Sequence, residues 1–162
     1  MAEKTTPDHI KERIREILME DEWSIRQESF PQTIWALVAE DRLGRKIIVG
    51  QNVDREDQIV IQGAVIFDEA TTNRIAQLPE NERNDFLWNL RFELLRTNLE
   101  FKGIELPLKH IDVSERLFLD AITKDSFIQR TSEVRKGVLA IQWMTQRRLA
   151  EQPPRRQLGF QR

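Results

Sequence analysis

The chain has 162 residues, no cysteine, no tyrosine and two histidines, and its formal net charge is −2. The length suits one domain with its own core, the missing cysteine excludes disulfides and thiol chemistry, and the small net charge creates no global field toward nucleic acid or an anionic membrane. No apolar run approaches the ~20 residues that a bilayer span needs, and the polar start of the chain does not resemble a secretory signal. These features predict a cytoplasmic protein.

The first element in chain order is a predicted helix. Thr6 is a suitable N-cap, Pro7 suits the first helical position, and apolar residues then recur on one helical face. From Glu22 the apolar residues follow strand spacing through four runs joined by short polar links. Gly44 is expected to take a positive φ in one link, and Gly63 is a candidate bulge in the last run. This part predicts a helix followed by an antiparallel meander of four strands.

Helical spacing returns after residue 67. A short helix is predicted over 68–78, ended by Pro79, and a longer one over 80–98. The longer helix has two apolar faces: Phe86, Leu87, Leu90 and Leu94 on one, and Trp88, Phe92, Leu95 and Leu99 on the other. A helix that rests on a sheet and otherwise meets water needs one apolar face. The second face therefore predicts burial against another helix or another subunit.

Two more strands are predicted over 99–105 and 109–119, with Pro107 in their connection because proline cannot donate to a ladder. A last helix follows over 124–152, with Thr123 as its N-cap. Its apolar residues have heptad spacing and form a seam of Phe127, Thr131, Val134, Val138, Ile141 and Thr145. A second stripe beside the seam consists of Ile128, Leu139 and Trp143.

These segments predict an α+β fold with the element order α-β-β-β-β-α-β-β-α. A mainly antiparallel sheet of five or six strands carries the helices packed on it. Residues 1–152 are expected to form a single domain. Two prolines stop the last helix, and we expect residues 153–162 to be a disordered basic tail.

Histidines and acids do not form a catalytic or metal-binding pattern. His110 is predicted in a strand near Asp112, and such a pair can do acid–base work, but no serine or cysteine lies close by in the sequence to complete a triad. A zinc site would need carboxylates beside the two histidines. The acidic loop 54–57 faintly resembles a calcium loop, but Arg55 interrupts it. We therefore expect no catalytic residue, no cofactor and no metal.

The C-terminal end is rich in arginine. A basic segment of this kind can contact a polyanion, and the candidate residues are Arg147, Arg148, Arg155 and Arg156. No aromatic platform or nucleic-acid motif accompanies them. Basic residues at the C-terminus of a helix also stabilise the helix dipole, which is the simpler explanation. Nucleic acid is therefore the less favoured partner.

One segment is specific enough to show a family resemblance. It reads Phe-Leu-Trp-Asn-Leu-Arg-Phe-Glu-Leu-Leu over 86–95, and the stretches 57–62, 119–127 and 141–144 support it. These residues resemble an uncharacterised prokaryotic family, domain of unknown function 2299, over about residues 10–149. The family has no established activity, so the resemblance implies no catalytic residues. It implies a fold like that of type III secretion chaperones, a curved antiparallel sheet between helices that is usually dimeric.

The leading hypothesis is a non-enzymatic protein-binding or chaperone-like module that forms a homodimer and binds a protein that the sequence does not identify. Large aromatic residues off the main apolar stripe are typical of interfaces, and the candidate interface is Trp88, Phe92, Leu95, Leu139 and Trp143. Alternatively, these faces meet each other within one chain. The second function class is a regulatory module that binds a small ligand or nucleic acid through the basic C-terminal region. An enzyme is the third.

Overall fold

The structure is a computed structural model that describes residues 5–151. Four α-helices and six strands follow one another within these residues, with a single 3-10 turn at Leu119–Ala121. Their bounds are α1 (Pro7–Glu20), β1 (Ser24–Gln27), β2 (Thr33–Glu40), β3 (Lys46–Asn52), β4 (Arg55–Ile66), α2 (Glu69–Ala76), α3 (Glu80–Leu95), β5 (Glu100–Lys102), β6 (His110–Phe118) and α4 (Lys124–Ala150). The predicted α+β class and element order are confirmed, and the expected tail over 153–162 lies outside the described residues.

All six strands belong to one antiparallel sheet in the order β1-β2-β3-β4-β6-β5. The first four strands form the predicted meander, and β6 pairs with the long strand β4, which leaves β5 at the edge. In the middle of the sheet Ile61 of β4 faces Val49 of β3 on one side and Glu115 of β6 on the other. Alternate residues of these strands therefore point together into the core beneath the helices.

The helices begin where the local chemistry predicts. Thr6 Oγ1 accepts a hydrogen bond from the His9 backbone N–H at 3.3 Å, and Pro7 takes the first helical position. At the start of α4, Thr123 Oγ1 accepts from the Ser126 N–H at 3.0 Å, and Ser126 Oγ accepts from the Thr123 N–H at 2.9 Å. This reciprocal capping box fixes the first turn of α4 and hence its entry onto the sheet.

The seam of α4 packs on β4 and β6. Its predicted members are buried except Val138, which is half-buried. The heptad spacing of α4 thus reflects packing on the sheet within one chain and leaves no seam for a coiled-coil partner. Within residues 5–151, no helix is long and apolar enough to cross a bilayer.

Gly63 allows this close packing. A Cβ at this position would lie 2.8 Å from Val138 Cγ2 and 3.0 Å from Val134 Cγ1. Gly63 pairs with Val113 in a register that is continuous along β4 and β6. The predicted bulge at Gly63 is therefore wrong. A glycine inside a strand marks either a bulge or a close approach of another element, and here it marks the approach of α4.

Helix α3 is shorter than predicted, ending at Leu95, and packs beside α4. Its inner face is buried and consists of Phe86, Leu87, Leu90 and Leu94, as the spacing predicts. Thr97 Oγ1 donates to the Leu94 carbonyl at 2.5 Å and accepts from the Leu99 N–H at 3.2 Å, which turns the chain toward β5. The inner face of α3 is thus part of the core, and the outer face of α3 points away from the core.

Candidate protein-binding surface on α3 and α4

Four large apolar side chains are exposed on α3 and α4. Their exposed fractions are 53% for Trp88, 54% for Phe92, 66% for Leu95 and 63% for Trp143. We call these four residues the outer surface. These four side chains therefore do not bury one another within one chain. Leu99, which was predicted on the same face as Trp88, instead follows α3 and is buried against Gly137 of α4, so that part of the face does pack within the chain. Leu139, the fifth candidate, is half-buried on α4.

The aromatic part of the outer surface is held in place by its neighbours. The rings of Trp88 and Phe92 stack with their centroids 5.8 Å apart and an interplanar angle of 28°. The guanidinium carbon of Arg91 lies 4.7 Å from the centroid of the Trp88 ring, and Arg91 Nη2 donates to the Ile104 carbonyl at 2.7 Å. Stacking and cation–π contacts of this kind restrict the rotamers of the exposed rings before any partner arrives.

A groove between α3 and α4 borders the outer surface. One part of it has a volume of about 530 Å³ and is lined by Asn89, Phe92, Glu93, Leu95, Arg96 and Met144. Asn89 and Met144 also line a second part, which continues toward Glu82 and Arg148. Apolar side chains and both signs of charge therefore meet along one concave strip, which suits a polypeptide better than a single small polyanion.

The basic residues that were candidates for polyanion contact are partly neutralised. Arg148 Nη2 donates to Glu82 Oε2 at 2.6 Å, and Arg148 Nη1 lies 3.5 Å from Glu151 Oε2. Arg147 Nε lies 3.4 Å from Glu151 Oε1. Arg155 and Arg156 lie outside the described residues. A polyanion at Arg147 and Arg148 would have to compete with these carboxylates.

The structure brings His110 and Asp112 together at the end of β6. His110 Nε2 lies 3.7 Å from Asp112 Oδ2, and Lys102 Nζ lies 3.8 Å from the same oxygen. Residues 55–57, which were predicted in an acidic loop, instead begin β4, and there Arg55 donates two hydrogen bonds to Asp57, at 3.1 and 3.2 Å, and lowers the pKa of that carboxyl. Within residues 5–151, no three histidine or acidic side chains are grouped so that they could hold a metal ion.

Sequence reasoning missed one buried charged cluster, which is centred on Glu115. Its side chain points from β6 toward α4 and is 4% exposed. Arg130 of α4 donates to Glu115 Oε1, while Glu115 Oε2 and Glu133 Oε2 are buried and accept no hydrogen bond from a donor in the described part of the chain. The two carboxyls can hydrogen-bond to each other only when one of them is protonated. Burial, and then the neighbouring Glu133, raise the pKa of Glu115 to about 7, and Arg130 opposes them. The alternation Ile111, Val113, Glu115, Leu117 along β6 was the available signal, since it places a glutamate on the inward face.

The fold and the outer surface define an α+β protein in which a six-stranded antiparallel sheet carries helices with exposed aromatic residues. The chain belongs to an uncharacterised conserved protein family, domain of unknown function 2299, whose model matches residues 10–145. A comparison with curated proteins finds no match.

Two crystal structures are similar to this fold. An uncharacterised protein from Methanothermobacter thermautotrophicus has 25% sequence identity and a TM-score of 0.80, over 86% of this chain and 98% of that chain. YbjN from E. coli, a proposed transcription regulator, has 12% identity and a TM-score of 0.50, over 85% of this chain and 92% of that chain. At that identity the likeness to YbjN shows the fold alone.

Proposed function

We propose that the protein is a non-enzymatic protein-binding, chaperone-like module and that the outer surface contacts another polypeptide chain. The observation that carries the proposal is the exposure of Trp88, Phe92, Leu95 and Trp143 on two helices whose inner faces are fixed in the core. Full burial of an exposed side chain of this kind contributes roughly 1.5–3 kcal/mol, and these side chains, which are already partly buried, would contribute a part of that before the costs of association. Tryptophan and arginine are also enriched among the residues that dominate interface energies, and Arg91 lies over the Trp88 ring.

The environment of Glu115 supports a non-enzymatic role. A carboxyl with a pKa of about 7 is suited to proton transfer at neutral pH. Glu115, however, lies between β6 and α4, where its Arg130 partner and its burial keep it from contact with a substrate. A shifted pKa often marks an active site. Here the raised pKa of Glu115 follows from burial of the carboxyl inside the fold.

The regulatory alternative has weaker support. It needs free basic side chains in the C-terminal region, and Arg148 is shared between Glu82 and Glu151. Binding of a polyanion by this region would show as a steep loss of affinity with added salt. Protein binding through an apolar surface does not need free basic side chains.

A photo-crosslinking experiment tests the proposal. A benzoylphenylalanine residue at position 92 keeps an aromatic ring on the outer surface. A matched probe at position 43 replaces Leu43, which is 77% exposed in the turn between β2 and β3. We expect irradiation in cells to yield protein adducts at position 92 and few at position 43. Adding Trp143→Glu should reduce the adducts at position 92, because it places a charge where a partner would have to desolvate it.

Circular dichroism should show an unchanged fold for the Trp143→Glu chain, since Trp143 is exposed. Equal adduct yields at positions 92 and 43 would contradict the proposal. Adducts with nucleic acid instead of protein would favour the regulatory alternative.

A further inference from the structure

We propose that α3 pairs with α3 of a second copy of this chain, antiparallel across a two-fold axis, so that Asp85 faces Arg96 of the partner subunit. This pairing rests on the proposed function, since it makes a second copy of the chain the polypeptide that binds the outer surface. In this arrangement Trp88 and Phe92 meet the same two residues of the partner, and the protein is a homodimer.

The spacing along the outer side of α3 supports a helical partner. The residues there recur at alternating intervals of four and three and are all exposed: Asn81, Asp85, Trp88, Phe92 and Leu95. That spacing is typical of the seam between two paired helices, whereas a helix packed only on its own domain carries one apolar stripe. The inner stripe of α3 is already buried in the core. The outer seam is therefore a second stripe with no occupant within residues 5–151.

The charges on this seam favour an identical, antiparallel partner. Asp85 lies near its N-terminal end, and Arg96, the C-cap residue, lies beside Leu95 at its other end. With a rise of 1.5 Å per residue, Asp85 lies about 7.5 Å and Arg96 about 9 Å along the axis from the midpoint between Trp88 and Phe92. Eleven residues complete just over three helical turns, so Asp85 and Arg96 lie on the same flank of the helix.

A two-fold axis through that midpoint brings each Asp85 against an Arg96 of the partner subunit, twice per dimer. Parallel pairing would instead put the two Asp85 side chains at one level on opposite flanks, and the two Arg96 side chains likewise, so that no Asp85 meets an Arg96 and like charges gather at each end. The aromatic pair has the same symmetry, because Trp88 and Phe92 lie on opposite sides of the midpoint. The stripe on α3 is therefore complementary to itself when two copies pair in antiparallel orientation.

Both charged groups are available for such a contact. The Arg96 side chain is 77% exposed, and its ion pair with Glu93 is loose at 3.5 Å. Asp85 is exposed and forms no ion pair in the described part of the chain. Asp85 also lines the groove beside Arg147 and Arg148, but those two arginines are paired with Glu151 and Glu82, which leaves the Asp85 carboxylate open to a partner guanidinium.

Charge reversal tests the pairing, with sedimentation equilibrium as the readout. We expect the wild type to associate to twice its mass of 19.2 kDa. Asp85→Arg and Arg96→Asp should each raise the dissociation constant about tenfold or more, since each places like charges together. An equimolar mixture of the two variants, and the double variant, should recover dimers. Arg26→Asp is the control, because Arg26 is also an exposed arginine paired with a nearby glutamate.

Engineered cysteines give a second readout that needs no charge reversal. The chain has no native cysteine. Mixing Asp85→Cys with Arg96→Cys under mild oxidation should yield a disulfide-linked dimer, while neither variant alone should do so, because antiparallel pairing separates identical positions beyond disulfide reach.

A wild type that stays at 19.2 kDa at all concentrations would overturn the pairing. An unchanged dissociation constant for Asp85→Arg would also overturn it. The same holds if either cysteine variant alone forms as much disulfide-linked dimer as the mixture. Protein adducts at position 92 from a monomeric wild type would leave the proposed function standing and remove the second copy. The absence of all adducts would remove the function itself.

Discussion

Leu90→Ala is expected to lower the free energy of unfolding by about 2–5 kcal/mol. Leu90 is fully buried at the centre of the inner face of α3, between Phe86 and Leu94. The change removes the Cγ methine and both Cδ methyl groups and so loses their transfer free energy. It also leaves a cavity, since the neighbouring side chains belong to a helix already fixed against α4 and cannot collapse fully.

Urea denaturation at one protein concentration measures this effect through the shift of the midpoint. Leu43→Ala is the matched control, because it makes the same truncation at a side chain that is 77% exposed. Its effect should stay within about 0.5 kcal/mol. A similarly small effect of Leu90→Ala would mean that the inner face of α3 is assigned wrongly.

The second large effect concerns pH. The pKa of Glu115 is about 7 in the folded protein against an ordinary value of 4.5. Between these two values the folded protein holds a proton that the unfolded chain has released. Stability from this group is therefore fully present below about pH 4.5 and is lost as the pH rises through about 7. One proton bounds the slope at about 1.4 kcal/mol per pH unit.

Two charged groups of α4 face Glu115, namely Arg130 and Glu133. On the neighbouring edge strand the Glu100 carboxylate is instead bound by Arg116 Nη2 at 2.6 Å. Urea midpoints measured from pH 5 to 8 should therefore fall more steeply with pH in the wild type than in Glu115→Gln, whose amide does not titrate. Glu100→Gln should keep the wild-type slope. Equal slopes in the wild type and Glu115→Gln would show that Glu115 ionises normally.

Local signals explain why the order of elements could be predicted from sequence. Thr6 and Thr123 cap helices through atoms within three residues of themselves, and strand alternation is read directly from the chain. The exposed candidates Trp88 and Phe92 could be identified for the same reason, because helical spacing alone separates the two faces of α3.

Features that depend on the placement of α4 could not be predicted in the same way. Gly63 was interpreted as a candidate bulge, whereas the close approach of α4 explains it, and Leu139 was grouped with exposed residues although it is half-buried. Glu115 was not recognised as part of a cluster because its partners come from a helix later in the chain. Each outcome was decided by a contact between distant segments, and a one-dimensional pattern does not record such contacts.

The distribution of the tryptophans makes the chain its own spectroscopic reporter. Trp23 and Trp35 are buried, and their indole N–H groups donate to Asp21 and Gln51. Trp88 and Trp143 lie on the outer surface, and no tyrosine contributes to the emission. Iodide, which quenches accessible indoles, will therefore act mainly on the second pair. Occupation of the outer surface and loss of the core thus give separate fluorescence changes without any added label.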